Sequence, residues 1–326
     1  MSRGGWAVER AAEIAAYADR EGIDAAERRY GLKRESIRRA QRQAKRQRGE
    51  SEASPDFEPG VERILREIAE RYSDDELKAI AKGGKSYSTE TTAVDAGWFD
   101  GDTIRFGVLT DTHIGSKYFR EDWMDGAVDR FHAEDVDFIC HVGDVTEGMS
   151  NRPGHIYELT HLGYTEQKQA AIEQLQKLPD VPLYAIDGNH DRWFIKSTGA
   201  KIVPDICKEI GATFLGHDTG EVLVNGIKIQ LWHGEDGSSY ATSYRIQKVI
   251  ESLPGGGKPA VLLTGHVHKA GYFFERNIHA VSGGCLQAQT PWMRGKRLSA
   301  HTGFWIIEMD INGGIVRFAP TFYPYY

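Results

Sequence analysis

Five short runs of metal-type donors stand in order along the chain: Asp111-Thr112-His113, Gly143-Asp144, Gly188-Asn189-His190-Asp191, Trp232-His233-Gly234 and Gly265-His266-Val267-His268. Carboxylate oxygens, an amide oxygen and imidazole nitrogens are the hard and borderline donors that a divalent cation takes. Most of the runs follow an apolar stretch that reads as a buried strand. Ligands at strand ends are held by a packed sheet and project into the loops above it, where open α/β sheets bind their ligands. A lone Asp-x-His or Gly-Asp carries little information, but five such runs in order amount to a donor set. His141, His155, His161, His217, His279 and His301 each read individually as structural. His155 stands apart from these, because residues 151–155 form a polar loop behind Asp144.

The elements that must position these donors begin near Thr103. Strand runs cover 104–110, 138–142, 183–186, 222–232 and 261–264, then 272–275, 278–281, 304–309 and 315–323. Asn225-Gly226 and Asn312-Gly313-Gly314 are hairpin signals. Strand–helix alternation followed by antiparallel pairs predicts an α/β fold with two sheets face to face and helices outside.

The N-terminal part follows a different pattern. Residues 6–48 read as helical, with Ile14, Tyr17 and Ala18 at helical spacing. Gly22 breaks the first helix, Asp24 is placed to cap a second, and Gly31 suits its left-handed C-terminal position. A third helix runs through Ser36-Ile37 into a basic tail, completing a helix-turn-helix pattern. Between Arg28 and Arg48 ten basic residues stand against Glu35 alone, a block of +9 in a chain of net charge −7. Lys33, Arg34, Arg38, Arg39 and Arg42 are the candidate contacts to a DNA backbone, which binds through charge and counterion release. The expected domains are a small all-α helix-turn-helix module at 1–50, a linker with one helix at 51–96 and a catalytic domain at 97–326.

Hydrophobic residues at 40% and charged residues at 27% argue against a disordered or membrane-embedded chain. Cys140, Cys207 and Cys285 have no CxxC spacing, which argues against a disulfide framework and a cysteine-based zinc site. No signal-like or membrane-length apolar run is present. The expected setting is the cytoplasm, that of the host if the chain is phage-encoded, with no membrane partner.

The order of the five motifs, over about 104–281, resembles the calcineurin-like metallophosphoesterase superfamily. Residues 24–32 resemble the helix-turn-helix of transposase-like modules. The first resemblance implies an αββα two-sheet sandwich carrying two divalent metals at its strand ends. One metal would be held by Asp111, His113 and His268, the other by Asn189, His233 and His266, with Asp144 bridging. It further implies that a metal-activated water attacks the phosphorus, that His190 protonates the leaving oxygen, and that Asp191 orients His190 or its loop. Manganese is the first expectation for the metal; iron, zinc, nickel, cobalt and magnesium also suit such donors.

Several branches of the superfamily are argued down. The run 143–148 lacks the arginine that follows Gly-Asp in protein Ser/Thr phosphatases, Glu147 stands where purple acid phosphatases place a tyrosine ligand, and His190 stands where lipid-precursor hydrolases have arginine. The phosphodiesterase and nuclease side remains, including Mre11/SbcD-like nucleases. The expectation is therefore a DNA-cleaving phosphodiesterase recruited by the basic module. His155, Tyr240, Tyr244 and Arg245 are candidate substrate contacts, and Trp292 and Arg294 could also grip a polymer. The alternatives are a small-molecule or cyclic-nucleotide phosphodiesterase or phosphatase, and a DNA-binding protein with a vestigial enzyme domain.

Overall fold

The computed structural model describes residues 8–32, 37, 40, 41, 44, 93–99, 101–235, 241–253 and 258–326. The chain divides into two compact units, Met1–Gly84 and Lys85–Tyr326.

In the first unit, helices Val8–Glu21 and Ile23–Tyr30 flank Gly22. Gly31 adopts a left-handed φ of 65° and its N–H reaches Glu27 O, ending the second helix. The N-cap is Gly22 rather than the expected Asp24, which lies inside the first turn, where its negative charge faces the positive end of the helix dipole. Ile14, Ala18, Ala26, Ile37 and Ala40 form a small buried cluster. The five candidate DNA-contacting residues Lys33, Arg34, Arg38, Arg39 and Arg42, and the helix expected within 51–96, lie outside the described residues.

The second unit contains two six-stranded sheets. Strands are β1 (Ala93–Asp95), β2 (Thr103–Leu109), β3 (Phe138–Val142), β4 (Leu183–Asp187), β5 (Thr213–His217), β6 (Thr219–Val224), β7 (Ile227–Trp232), β8 (Val261–Thr264), β9 (Ala270–Glu275), β10 (Ile278–Gly283), β11 (Gly303–Ile311) and β12 (Ile315–Pro324). One sheet runs β1-β6-β7-β8-β10-β9 and the other β12-β11-β2-β3-β4-β5. The period of two sorts the side chains into layers. Phe106, Val108, Phe138, Cys140 and Ile186 from one sheet meet Val222, Ile229, Leu231, Val261 and Leu263 from the other. Neighbouring positions Leu109, Ile139 and Ala185 turn outward into a core that includes Phe131, Ile172 and Ile206. These come from helices Glu121–Ala133, Gly163–Leu175 and Ile202–Ile210. Leu262, Ile278 and Ala280 pack with Ile246 and Ile250 of helix Thr242–Ser252. The result is the expected helix–sheet–sheet–helix order.

Three expectations about these elements change. The hairpin signalled at Asn225 (φ 46°) and Gly226 (φ 77°) forms and divides the run expected at 222–232 into antiparallel strands β6 and β7, but the run starts earlier, at Thr219. Paired positive φ values are what a tight hairpin turn requires. β5 is an unanticipated edge strand, short, interrupted by Gly216 and paired to β4 through a register shift. β1 pairs in parallel with β6, so the sandwich starts before the expected boundary at 97. No helix among the described residues is long and apolar enough to cross a membrane.

Candidate metal centre

All five motifs sit immediately past the C-terminal ends of strands: β2, β3 and β4 in one sheet, β7 and β8 in the other. Within each sheet these strands are parallel neighbours, so their ends open on one edge. Leaving a strand so abruptly bends the backbone. Asp111 (φ 50°), His113 (φ 52°), Asp144 (φ 50°), His266 (φ 73°) and His268 (φ 53°) are all left-handed non-glycine residues. Such conformations cost about 1–3 kcal/mol each and persist where surrounding structure over-determines them, which marks functional sites. Gly143 and Gly188 leave room that no side chain could share. A Cβ on Gly143 would meet His233 Nδ1 at 2.6 Å, and one on Gly188 would meet Asp144 Oδ1 at 2.1 Å.

The structure brings the seven donor candidates together in two groups around Asp144. In the first, His113 Nε2 and His268 Nε2 lie 3.0 Å apart, and Asp111 Oδ1 is 3.3 Å from His268 Nε2. In the second, Asn189 Oδ1 lies 2.8 Å from His266 Nδ1 and 3.2 Å from His233 Nε2. Asp144 Oδ2 reaches both, 3.8 Å from His113 Nε2 and 3.2 Å from His233 Nε2. Asp111–His113–His268 and Asp144–His233–His266 each have ligand atoms close enough to hold one ion; so does His113–Asp144–His190.

The donors fit cations on chemical grounds. His233 Nδ1 donates to Val142 O at 2.8 Å, so the neutral ring aims an Nε2 lone pair at Asp144 and Asn189 oxygens. Electron pairs facing one another need positive charge between them. Where no cation sits there, a proton on His233 Nε2 supplies that charge. Burial opposes charge on His233, yet Asp144, by its charge and hydrogen bond, pushes the imidazole up to about 10. Burial likewise works against the Asp111 and Asp144 carboxylates, but His268 beside the first and His233 beside the second hold them below the usual range. Burial pushes His266 down to about 4, leaving it a neutral donor.

Further groups ring the donors, and Glu147 and Gln287 among them were not legible in the motifs. Glu147, buried, places Oε2 3.1 Å from His113 Nδ1 and Oε1 3.0 Å from His155 Nε2, and accepts from Gln287 Nε2 at 2.8 Å. A carboxylate behind a ligating imidazole fixes its tautomer and orientation. The His190 Nδ1–H donates to Glu147 O at 2.8 Å, leaving Nε2 as the basic ring atom, and the His190 backbone N–H donates to Asp144 Oδ1 at 2.8 Å. The His190 ring lies 4.0 Å from that of Trp193. Asp191 turns away from this ring. Its carboxylate accepts from Val145 N, Thr146 N, Thr146 Oγ1 and Gly188 N, tying the Asp144 loop to the Asn189 loop. Of its two expected tasks, only holding the loop matches these contacts.

The candidate substrate contacts fare unequally. His155 is buried, with Nδ1 accepting from Ser150 N and Nε2 against Glu147, so it supports the site from behind. Arg245 is also buried; it stacks on Trp232 and donates to Gly234 O at 2.9 Å, bracing the His233 loop rather than facing substrate. Tyr244 is exposed. Tyr240 lies outside the described residues.

Arg192 ties the second donor group together. Its guanidinium donates to Asp187 Oδ1 at 2.8 Å and pairs with Asp218 and Glu235. Asp218 in turn accepts the backbone N–H of His233 on its carbonyl and of Gly234 on its carboxylate. Arg192→Met keeps the aliphatic stem but removes this fork, freeing the loops that carry Asn189 and His233. Such supporting groups are worth about 10–100-fold in metal affinity. Manganese titration should show one ion weakened by about that factor and the other little changed; two ions bound as in the parent chain would refute this role.

A family model described as the calcineurin-like phosphoesterase superfamily domain matches residues 104–302. The chain is 27% identical over 239 residues to the DNA polymerase II small subunit of Halobacterium salinarum, covering 60% of this chain and 46% of that one. It is 26% identical over 232 residues to the protein of the same name from Methanothermobacter thermautotrophicus, covering 57% and 48%. It thus spans about half the length of the curated relatives it matches. Among solved structures it is similar to a novel archaeal phosphodiesterase, at 17% identity and a TM-score of 0.40, over 68% of this chain and 100% of that one. It is also similar to Yfce, a phosphoesterase from E. coli, at 15% identity and a TM-score of 0.40, over 66% and 98%.

Proposed function

The chain belongs to the calcineurin-like phosphoesterase superfamily, and from that premise we propose that it is a two-metal phosphodiesterase that cleaves DNA in the cytoplasm, recruited by its N-terminal module. The observation that carries the catalytic part is the convergence of seven donors in two groups that share Asp144 Oδ2. Asp111, His113 and His268 would hold one ion, and Asn189, His233 and His266 the other, with Asp144 between them. Two bound divalent cations, manganese first among those the donors accept, supply the charge that activates a water and neutralises the phosphate. Glu147 fixes the His113 ring, and Asp191 fixes the two central loops. His190, with Nδ1–H spent on Glu147 O, offers Nε2 to carry a proton to the leaving oxygen.

Two features support DNA as the substrate. The basic block between Arg28 and Arg48 suits a phosphate backbone, and the curated relatives are named as polymerase subunits. Those names also favour a second reading, an accessory subunit that binds a DNA polymerase. The deciding experiment is a panel of linear, circular, single-stranded and double-stranded DNA with added manganese or magnesium. Cleavage of at least one form, abolished by chelator, is expected; inert DNA alongside capture of a polymerase would favour the second reading. Deleting residues 1–50 should slow cleavage of long DNA and flatten its salt dependence, while hydrolysis of bis-p-nitrophenyl phosphate survives. A truncated chain that binds and cuts long DNA as well as the full one would remove the recruiting role.

A further inference from the structure

The cleft above the metal donors, about 510 Å³, is lined by donors such as His113, Asp144 and Asn189 and also by the apolar side chains of Trp292, Met293 and Leu298, with Lys269 among its lining residues. The turn that carries Trp292 is firmly built. Thr290 Oγ1 caps helix Pro291–Gly295 by accepting from Met293 N, Met293 is buried, and Leu298 N–H donates to Met293 O at 2.9 Å. Gln289 Nε2 closes the loop on Leu298 O at 2.7 Å. On this anchored turn the Trp292 side chain is nonetheless 49% exposed. Among the described residues no ring or cation packs on it. Trp193 also lines the cleft, but the His190 ring lies against it at 4.0 Å and that of His155 sits 5.4 Å away.

We propose that Trp292 forms a nucleoside subsite, a platform on which the base of the nucleotide esterified at the scissile phosphate stacks. The inference rests on the phosphodiesterase reading and adds to it the chemistry of the group beside the phosphate. A cleft of this size suits a ligand of nucleotide dimensions. A large aromatic held rigidly and left open loses little conformational entropy when a flat ring covers it, and every base offers such a face. Lys269, which lines the same cleft, provides a cation for a flanking phosphate.

Two phosphodiesters with the same leaving group isolate the effect: the p-nitrophenyl ester of thymidine monophosphate and methyl p-nitrophenyl phosphate. The parent chain should prefer the nucleoside ester. Trp292→Ala should lower the ratio of the two kcat/KM values about tenfold or more, and Trp292→Phe should keep most of it. A ratio unmoved by Trp292→Ala, or a parent chain without the preference, overturns the subsite. Binding is read separately, as quenching of tryptophan fluorescence by thymidine monophosphate. Loss of quenching in Trp292→Ala supports the subsite even where neither ester turns over, an outcome that would sink the phosphodiesterase reading alone. Equal quenching in both chains overturns the subsite.

Discussion

Replacing Asp144 with alanine should abolish hydrolysis of bis-p-nitrophenyl phosphate and leave neither ion held at the site. Asp144 Oδ2 is the oxygen within 4 Å of both a first-group and a second-group imidazole, His113 and His233. Without it, each group keeps two imidazoles and one oxygen ligand, and the negative charge that offsets two close cations falls by one. Cation charge stabilisation at a phosphoryl transition state is worth several kcal/mol, and each 1.36 kcal/mol is tenfold in rate, so the loss should be about 10³-fold or more. Asp144→Asn is the sharper variant. It keeps the shape and an oxygen for the His190 N–H but removes the charge, so it too should fail to hold the pair. Both variants should retain the circular dichroism of the parent chain, because the sandwich core lies below the strand ends. Full metal content in Asp144→Ala, measured by elemental analysis, would defeat the bridging assignment.

The second large effect is expected at His190, with the opposite signature. The His190→Ala chain retains the backbone N–H that holds Asp144 Oδ1, so metal content should stay at the parent level. Turnover should fall by about 10²–10⁴ on substrates with poor leaving groups, the usual cost of losing a positioned acid. A p-nitrophenyl leaving group hardly needs a proton, so hydrolysis of its esters should fall much less. Glu147→Gln alters the carboxylate that faces the His113 ring but keeps the carbonyl that receives His190, and so separates ring positioning from proton delivery. An equal loss on both substrate types in His190→Ala would argue against the acid role.

What could be read from the sequence followed physical lines. The donors were legible because each must be an oxygen or nitrogen ligand beside a strand end, and such residues leave short local signatures. The two-sheet architecture was legible from strand–helix alternation followed by antiparallel pairs, because parallel strands need helical crossovers and antiparallel ones do not. Glu147, Gln287 and Arg192 were not, because they act on residues distant along the chain and belong to no local pattern. Glu147 left one signal, an acidic residue three positions past Asp144 in a segment that the fold buries. Arg245 was misread as a substrate contact. Gly234 leaves room against which a buried guanidinium packs, a Cβ there falling 2.1 Å from Arg245 Nη2, and no spacing rule encodes that. β1 and β5 were missed because edge strands need little apolar surface, and β5 carries a glycine next to its last residue.

The claim on which the rest depends is that one chain holds two cations side by side through Asp144. Electron paramagnetic resonance of the manganese-loaded protein measures it directly, since two ions sharing a carboxylate couple magnetically and isolated ions do not. The account predicts the spectrum of a coupled pair, at two ions per chain, reverting to isolated or free manganese in Asp144→Asn. A spectrum of isolated ions in the fully loaded parent chain, or saturation at a single ion, would contradict it.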